Sequence, residues 1–375
     1  MNKEKEIVFT GIVFIAMAYG ISRFSYGLLL PYFGDDLDLT NRVSGVISAI
    51  SYLTYCLGIV SMFTIFKYYQ PRAILLISGS LSLYGLYAMM VADHYPLFGA
   101  GVIILGFSAG LATAPFGQII KEKVQYGHQD RSNSWINTGI GLGLILVGMI
   151  VWVVGDAWRI SYALFLVISL IIMYFSYKKL PKVEMSHLNY SIDLKHIFYG
   201  KKLIISTVLL GIGTSAYWTY FQSYLFQTQH ADLKNLFWIV LGIGGMLGGF
   251  AGHLNERLGM TKIHIITSIL LGIANITLVL TENFALMLFS TGLFGLVYVF
   301  AMGVYAFWCA RLYVEYPAMG IIVTFVSLAA GQFIGTFLSG FLLEEFGFQI
   351  LFYIYGVFSL MNILFRPLAE ELADL

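Results

Sequence analysis

Charge is what this sequence has least of. Only 11% of its 375 residues are Asp, Glu, Lys or Arg, against about one quarter in soluble domains, so most of its surface cannot face water and the fitting solvent is lipid. Cysteine is nearly absent too. Cys56 and Cys309 lie far apart inside apolar stretches, which excludes a disulfide framework and a CxxC metal site. No apolar stretch carries a Ser/His/Asp set, an HExxH or paired carboxylates, so an intramembrane enzyme is not expected, and neither is a cofactor or a metal. The net charge of +1 gives no sign of nucleic acid as a partner.

What is present is long apolar runs, 59% of residues being hydrophobic. Breaks at charged or Pro/Asn/Asp-rich segments leave twelve windows of spanning length: roughly 8–33, 43–65, 73–92, 96–119, 134–154, 159–177, 203–226, 235–254, 263–281, 285–309, 318–342 and 348–366. The first is too long for a signal-peptide core and reads as a retained helix. The longest connection, after the sixth window, divides the chain into a six-helix bundle (1–177), a Lys-rich central loop (178–202) and a second six-helix bundle (203–375). With a cytoplasmic N-terminus, 17 of the 21 Lys and Arg residues lie inside; only Arg42, Arg159 and Lys234 lie outside, and Arg23 falls within the first span. The positive-inside rule therefore predicts both termini in the cytoplasm and a multi-pass protein of the cell (inner) membrane. The fold class expected is all-α and integral to the membrane, with weak internal similarity between Gly20-Ile21-Ser22 and Gly213-Thr214-Ser215.

After the eighth window comes Gly252-His253-Leu254-Asn255-Glu256-Arg257-Leu258-Gly259. This resembles the Gly-x-Leu-x-Asp-Arg-x-Gly loop of the major facilitator superfamily, with Glu256 in the aspartate position. In that family the loop follows the second span of a half on the cytoplasmic side, as it would here. The resemblance implies that Gly252, Glu256, Arg257 and Gly259 act in gating, the carboxylate and Arg forming a contact that breaks as the halves rock. The first half departs from the pattern: between Gly58 and Arg72 there is no carboxylate, and only Lys67 could stand in for the basic position. Tyr19-Gly20-Ile21-Ser22-Arg23-Phe24-Ser25-Tyr26-Gly27 is also similar to the first-span signature of the YbfB/YjiJ-like subgroup. These likenesses imply a secondary-active or facilitative transporter of a small organic solute working by alternating access. The same fold would also serve a multidrug or amphiphile exporter, or a sensor that does not transport.

Arg23 is the only charged residue well inside a window, about 12 Å from its outer end. Such a charge costs about 2.5–3.5 kcal/mol at the bilayer centre, so it is expected to face the bundle interior. A guanidinium there suits a carboxylate or phosphate, which favours an anionic or zwitterionic cargo; the alternative is that it ties helices together through carbonyls or aromatic faces. Tyr19, Ser22 and Tyr26 are grouped with it as candidate binding residues, and Trp218, Gln222 and Tyr298 are candidates from the second half. Tyr305 and Trp308 are further aromatics that could line the same cavity. No Asp, Glu or His lies deep in a window, His253 and His264 falling near the cytoplasmic boundary, so a proton relay inside the membrane is not expected and a coupling ion (H+) is left open. The remaining partners expected are a small-molecule substrate and the lipid bilayer, the chain acting as a monomer. Glycines at 139, 141, 143 and 148, at 244, 245, 248, 249 and 252, and at 331 and 335 form stripes that suit close helix approach, whether sliding or static.

Overall fold

A computed structural model of the chain describes residues 3–183, 200–248, 258–313 and 317–367. All regular structure among them is helical, as hydrocarbon demands, since a helix satisfies its own backbone N–H and C=O groups. The principal helices are α1 (Lys3–Phe33), α2 (Asn41–Ile65), α3 (Pro71–Val91), α4 (Tyr95–Lys123), α5 (Gly139–Val154), α6 (Trp158–Lys179), α7 (Lys201–Phe226), α8 (Lys234–Leu247), α9 (Met260–Leu280), α10 (Phe284–Leu312) and α11 (Pro317–Met361). Among the described residues, ten helices are long and apolar enough to cross a membrane. α8 covers 14 residues, and residues 249–257 after it are not among those described. α11 is one element of 45 residues only in name: Gly347 sits at φ 77° and ψ 177° and splits it into two arms. That backbone conformation is essentially confined to glycine, so Gly347→Ala is expected to lower stability by about 1–3 kcal/mol, measured as a reduced Tm of the purified protein in detergent.

The helices alternate direction, so the chain has an amino-terminal end and a far end. At the first, Lys179 Nζ meets Glu6 Oε1 at 2.7 Å and Thr261 donates to the Pro367 carbonyl at 2.8 Å. At the far end the early and late helices are joined directly. Arg42 Nε lies 2.9 Å from Glu344 Oε2, Tyr220 donates to the Asn41 carbonyl at 2.6 Å, and Ser48 and Thr219 hydroxyls are 3.4 Å apart. The ion pair is half-exposed and worth at most about 1 kcal/mol; the polar contacts behind it, in a drier place, do more of the sealing.

The glycine stripes divide by face. A Cβ at Gly139 or Gly143 would lie 2.3–2.4 Å from carbonyl oxygens of α1, at Gly244 2.2 Å from the Gly292 oxygen of α10, and at Gly331 2.1 Å from the Val208 oxygen of α7. These bind helices within the early or the late group. Gly141 and Gly148 instead face α8, where a Cβ at Gly141 would be 2.6 Å from the Gly242 oxygen and one at Gly242 would be 2.8 Å from the Gly141 oxygen. Gly27 is the matching close approach towards the far end, with the Trp218 oxygen 2.0 Å from where a Cβ would stand. Backbone contact of this kind lets dispersion forces hold helices together where lipid gives no hydrophobic drive.

Candidate functional site

The site begins with an irregularity in α1. Residues Ala16–Arg23 form a π-helical stretch, closed by Phe24 N–H donating to the Tyr19 carbonyl at 2.8 Å, five residues back. Such bulges widen one turn and recur at functional positions. Arg23 is its last residue, and the wide turn aims the guanidinium across the bundle. Nη2 donates to Gln332 Oε1 of α11 at 3.2 Å, while the guanidinium carbon lies 3.8 Å from the Tyr55 ring centroid and 4.7 Å from that of Tyr52. Tyr19 and Phe24 rings are 5.8 and 5.6 Å away. Gln332 in turn donates to the Tyr298 hydroxyl at 3.4 Å. Among the described residues no carboxylate lies within ion-pair distance of Arg23.

That combination decides what the arrangement can do. Aromatic faces stabilise a desolvated guanidinium by about 2 kcal/mol or more where the geometry is good, but they do not neutralise it. Of five N–H donors, one is used by Gln332. The site therefore holds a fixed positive charge with donors to spare, in a place where an incoming anion meets little competition from water. The free space beside Arg23, Tyr52 and Trp218 is about 20 Å3, room for a water but far below the several hundred Å3 of a small-molecule site. A solute-sized ligand would fit beside Arg23 only if helices separated.

The remaining sequence candidates fall around this point in different ways. Tyr19 is drawn in, its hydroxyl 3.1 Å from that of Tyr55 and 2.6 Å from Thr113 Oγ1. Tyr26 borders the same space, but its hydroxyl donates away, to the Ser44 carbonyl at 2.8 Å. Ser22 is buried with its hydroxyl unpartnered. Trp218 stacks on Phe24 with centroids 4.1 Å apart and meets the Tyr298 ring at 4.9 Å. Gln222 is not brought to Arg23: its amide donates to Asn235 Oδ1 at 3.3 Å, an oxygen shared with the Tyr32 hydroxyl.

For the gating residues the outcome is mixed. Gly252, Glu256 and Arg257 lie outside the described residues. Gly259 precedes α9 with φ 80°, and Lys67 is exposed in the turn after α2. One expectation gains detail and one changes. His264 stays near the end of its span, four residues into α9, but is 1% exposed, enclosed because α7, α10 and the turn after α11 fold over the first turns of α9. Tyr305 and Trp308 surround that histidine, each with its ring centroid 5.7 Å from the imidazole, and so do not border the space beside Arg23.

Sequence reading missed Tyr52, Tyr55 and Gln332. A signal for the first two was present: Ser44, Ser48, Ser51 and Tyr55 recur at helical spacing and mark a polar face of α2.

The sequence matches the family model described as Major Facilitator Superfamily over residues 12–330. The chain belongs to that superfamily. Solved structures of superfamily fold resemble it along almost its whole length. The xylose transporter XylE from E. coli, in a partially occluded inward open conformation, superposes with a TM-score of 0.79 at 14% identity, covering 97% of each chain. A D-xylose-proton symporter gives 0.78 at 14% identity, covering 96% of each. The nucleoside transporter NupG gives 0.75 at 14% identity, covering 97% of this chain and 98% of its own. No curated protein matches the sequence. As a member of the major facilitator superfamily the chain is a membrane protein that transports a small solute by alternating access, and transport rather than bond chemistry is its activity. Within such a cycle, Arg23 stands where the early helices meet the late ones, touching Gln332 across the divide.

Proposed function

We propose that this facilitator carries a small organic anion or zwitterion whose carboxylate or phosphate is held by Arg23. The observation behind this reading is the guanidinium itself: deep in α1, ringed by Tyr52, Tyr55 and Tyr19, and without a carboxylate partner among the described residues. Tyr19, Ser22 and Tyr26 on one side and Trp218 and Tyr298 on the other complete the binding surface, with Gln222 a step further out. Two six-helix bundles, 1–177 and 203–375, joined by the 178–202 loop and giving twelve spans in all, rock about this point; the kink at Gly347, which splits α11 into two arms, supports that count. Seventeen of 21 basic residues on one side support cytoplasmic termini in the cell membrane. The loop from Gly252 to Gly259, with Lys67 its only counterpart in the first half, is the gating contact in this reading. The chain is read as a monomer, and its first-span signature supports the YbfB/YjiJ-like subgroup.

The test is a thermal-shift screen of the purified protein with organic anions and with lipophilic cations. A ligand at 100 times its Kd stabilises by about 2.7 kcal/mol, so a true substrate raises Tm visibly. Selective stabilisation by anions, lost on Arg23→Met, is the expected result. Stabilisation by lipophilic cations alone would replace this reading with that of a drug exporter.

A further inference from the structure

Beside Arg23 the early and late helices meet through two aromatic rings. Phe24 of α1 and Trp218 of α7 are stacked, with centroids 4.1 Å apart and planes 21° from parallel. The backbones touch at the same level: one turn after Phe24, Gly27 stands so close to α7 that a Cβ there would lie 2.0 Å from the Trp218 carbonyl oxygen. One ring comes from each group, so parting α1 from α7 ends the stack and uncovers a face of each. Trp218 is braced from its other sides by late helices alone, edge to face against Tyr298 at 4.9 Å, Phe294 at 5.6 Å and Trp238 at 6.4 Å. Its ring therefore keeps its plane when the face that Phe24 covered opens. Offset stacking is open only to a flat π-surface. A planar ring entering the gap regains a stack on Phe24 and on Trp218 together, whereas a saturated body of the same size regains neither.

Charge narrows the rest of the cargo. The Arg23 guanidinium carbon is 5.6 Å from the Phe24 centroid, so a ring at the stack brings a carboxylate attached to it within reach of the fork. Among the residues that border this space Arg23 is the only Lys or Arg, and none is Asp or Glu. A second carboxylate on the cargo would be buried without a cation, and an ammonium without an anion. The Tyr52 and Tyr55 faces, which would suit an ammonium, already face the guanidinium at 4.7 and 3.8 Å. One donor at the stack is unused. Trp218 Nε1 is buried with no partner among the described residues, so an acceptor on the cargo's ring gains a hydrogen bond there.

We infer that the cargo is a planar aromatic monocarboxylate with no other charged group, its carboxylate on Arg23 and its ring lodged between Phe24 and Trp218. This names the substrate class of the Arg23 site and rests on the reading of Arg23 as the anion site. Amino acids, dicarboxylates and phosphate monoesters are thereby disfavoured.

The test is binding to the purified full-length protein, by thermal shift and calorimetry, of benzoate, cyclohexanecarboxylate, the dianion terephthalate and the zwitterion para-aminomethylbenzoate. Benzoate should bind most tightly. Cyclohexanecarboxylate has the same charge and nearly the same size, and should be weaker by about threefold to tenfold for each ring face it fails to stack on; the dianion and the zwitterion should be weaker than benzoate by at least as much. Phe24→Leu should bring the Kd values of benzoate and cyclohexanecarboxylate closer by about the same factor, chiefly by weakening benzoate, while the wild-type comparison needs no variant to fold. Equal Kd values for those two ligands, both lost in Arg23→Met, would overturn the ring assignment and leave Arg23 standing as the anion site. Tighter binding of terephthalate or of the zwitterion, again lost in Arg23→Met, would overturn the single charge. No stabilisation by any of the four, or stabilisation that survives Arg23→Met, removes the anion reading and this inference with it.

Discussion

Arg23→Met is expected to abolish high-affinity anion binding without weakening the fold. A hydrogen bond to a charged group contributes about 1.5–3 kcal/mol, which at 1.4 kcal/mol per decade is roughly 10–150-fold in Kd. Methionine keeps much of the stem's volume and drops the fork, so the loss belongs to the charge. Arg23→Lys keeps the charge but not the planar bidentate geometry and should fall between the two. The unliganded protein distinguishes this from a structural tie. A buried charge without a counter-ion carries a solvation cost of several kcal/mol, offset in part by the Tyr55 and Tyr52 faces at 3.8 and 4.7 Å and by one bond to Gln332. Removing it should leave the ligand-free Tm unchanged or raised. A Tm several degrees lower in Arg23→Met, with anion affinity intact, would mean that the guanidinium serves to pin α1 to α2 and α11.

The spans and Arg23 were legible in the sequence for a simple reason: both depend on transfer from water to hydrocarbon, which is a property of each residue and its near neighbours. The details of the site depend on which helices meet. Nothing local announces that residues 16–23 wind as a π-helix, yet that turn is what carries Arg23 towards Gln332, 309 residues away. His264 is the clearest case. Four residues from the start of α9 it reads as a boundary residue, and only the convergence of Ser206, Tyr305 and Asn362 from three other segments buries it. Glycine stripes share this limit. Small residues four apart say that another backbone comes close, but Gly139 and Gly143 look to α1 while Gly141 between them looks to α8.

That last distinction yields the second large effect, a pair of substitutions with opposite consequences. Gly27 and Gly141 both sit where early helices touch late ones, the first towards the far end and the second towards the amino-terminal end. A Cβ at Gly27 would lie 2.0 Å from the Trp218 carbonyl oxygen, and one at Gly141 2.6 Å from that of Gly242. Backbone carbonyls cannot swing aside as a flexible side chain can, so Gly27→Val or Gly141→Val forces the helices themselves apart. Overpacking of this kind costs about 1–3 kcal/mol or more in the state that needs the contact. It costs nothing in a state where that contact is already open. Gly27→Val should therefore disfavour closure of the far end, and Gly141→Val closure of the amino-terminal end. Either lowers transport by about tenfold or more, since 1.4 kcal/mol in one conformational equilibrium is already a decade. Spin labels at positions 42 and 344, whose native side chains form a 2.9 Å ion pair, report the far end directly. Their separation should lengthen in Gly27→Val and stay short in Gly141→Val. Equal distances in both variants would mean that these two glycine contacts are static packing, and that the moving surface lies between other helices.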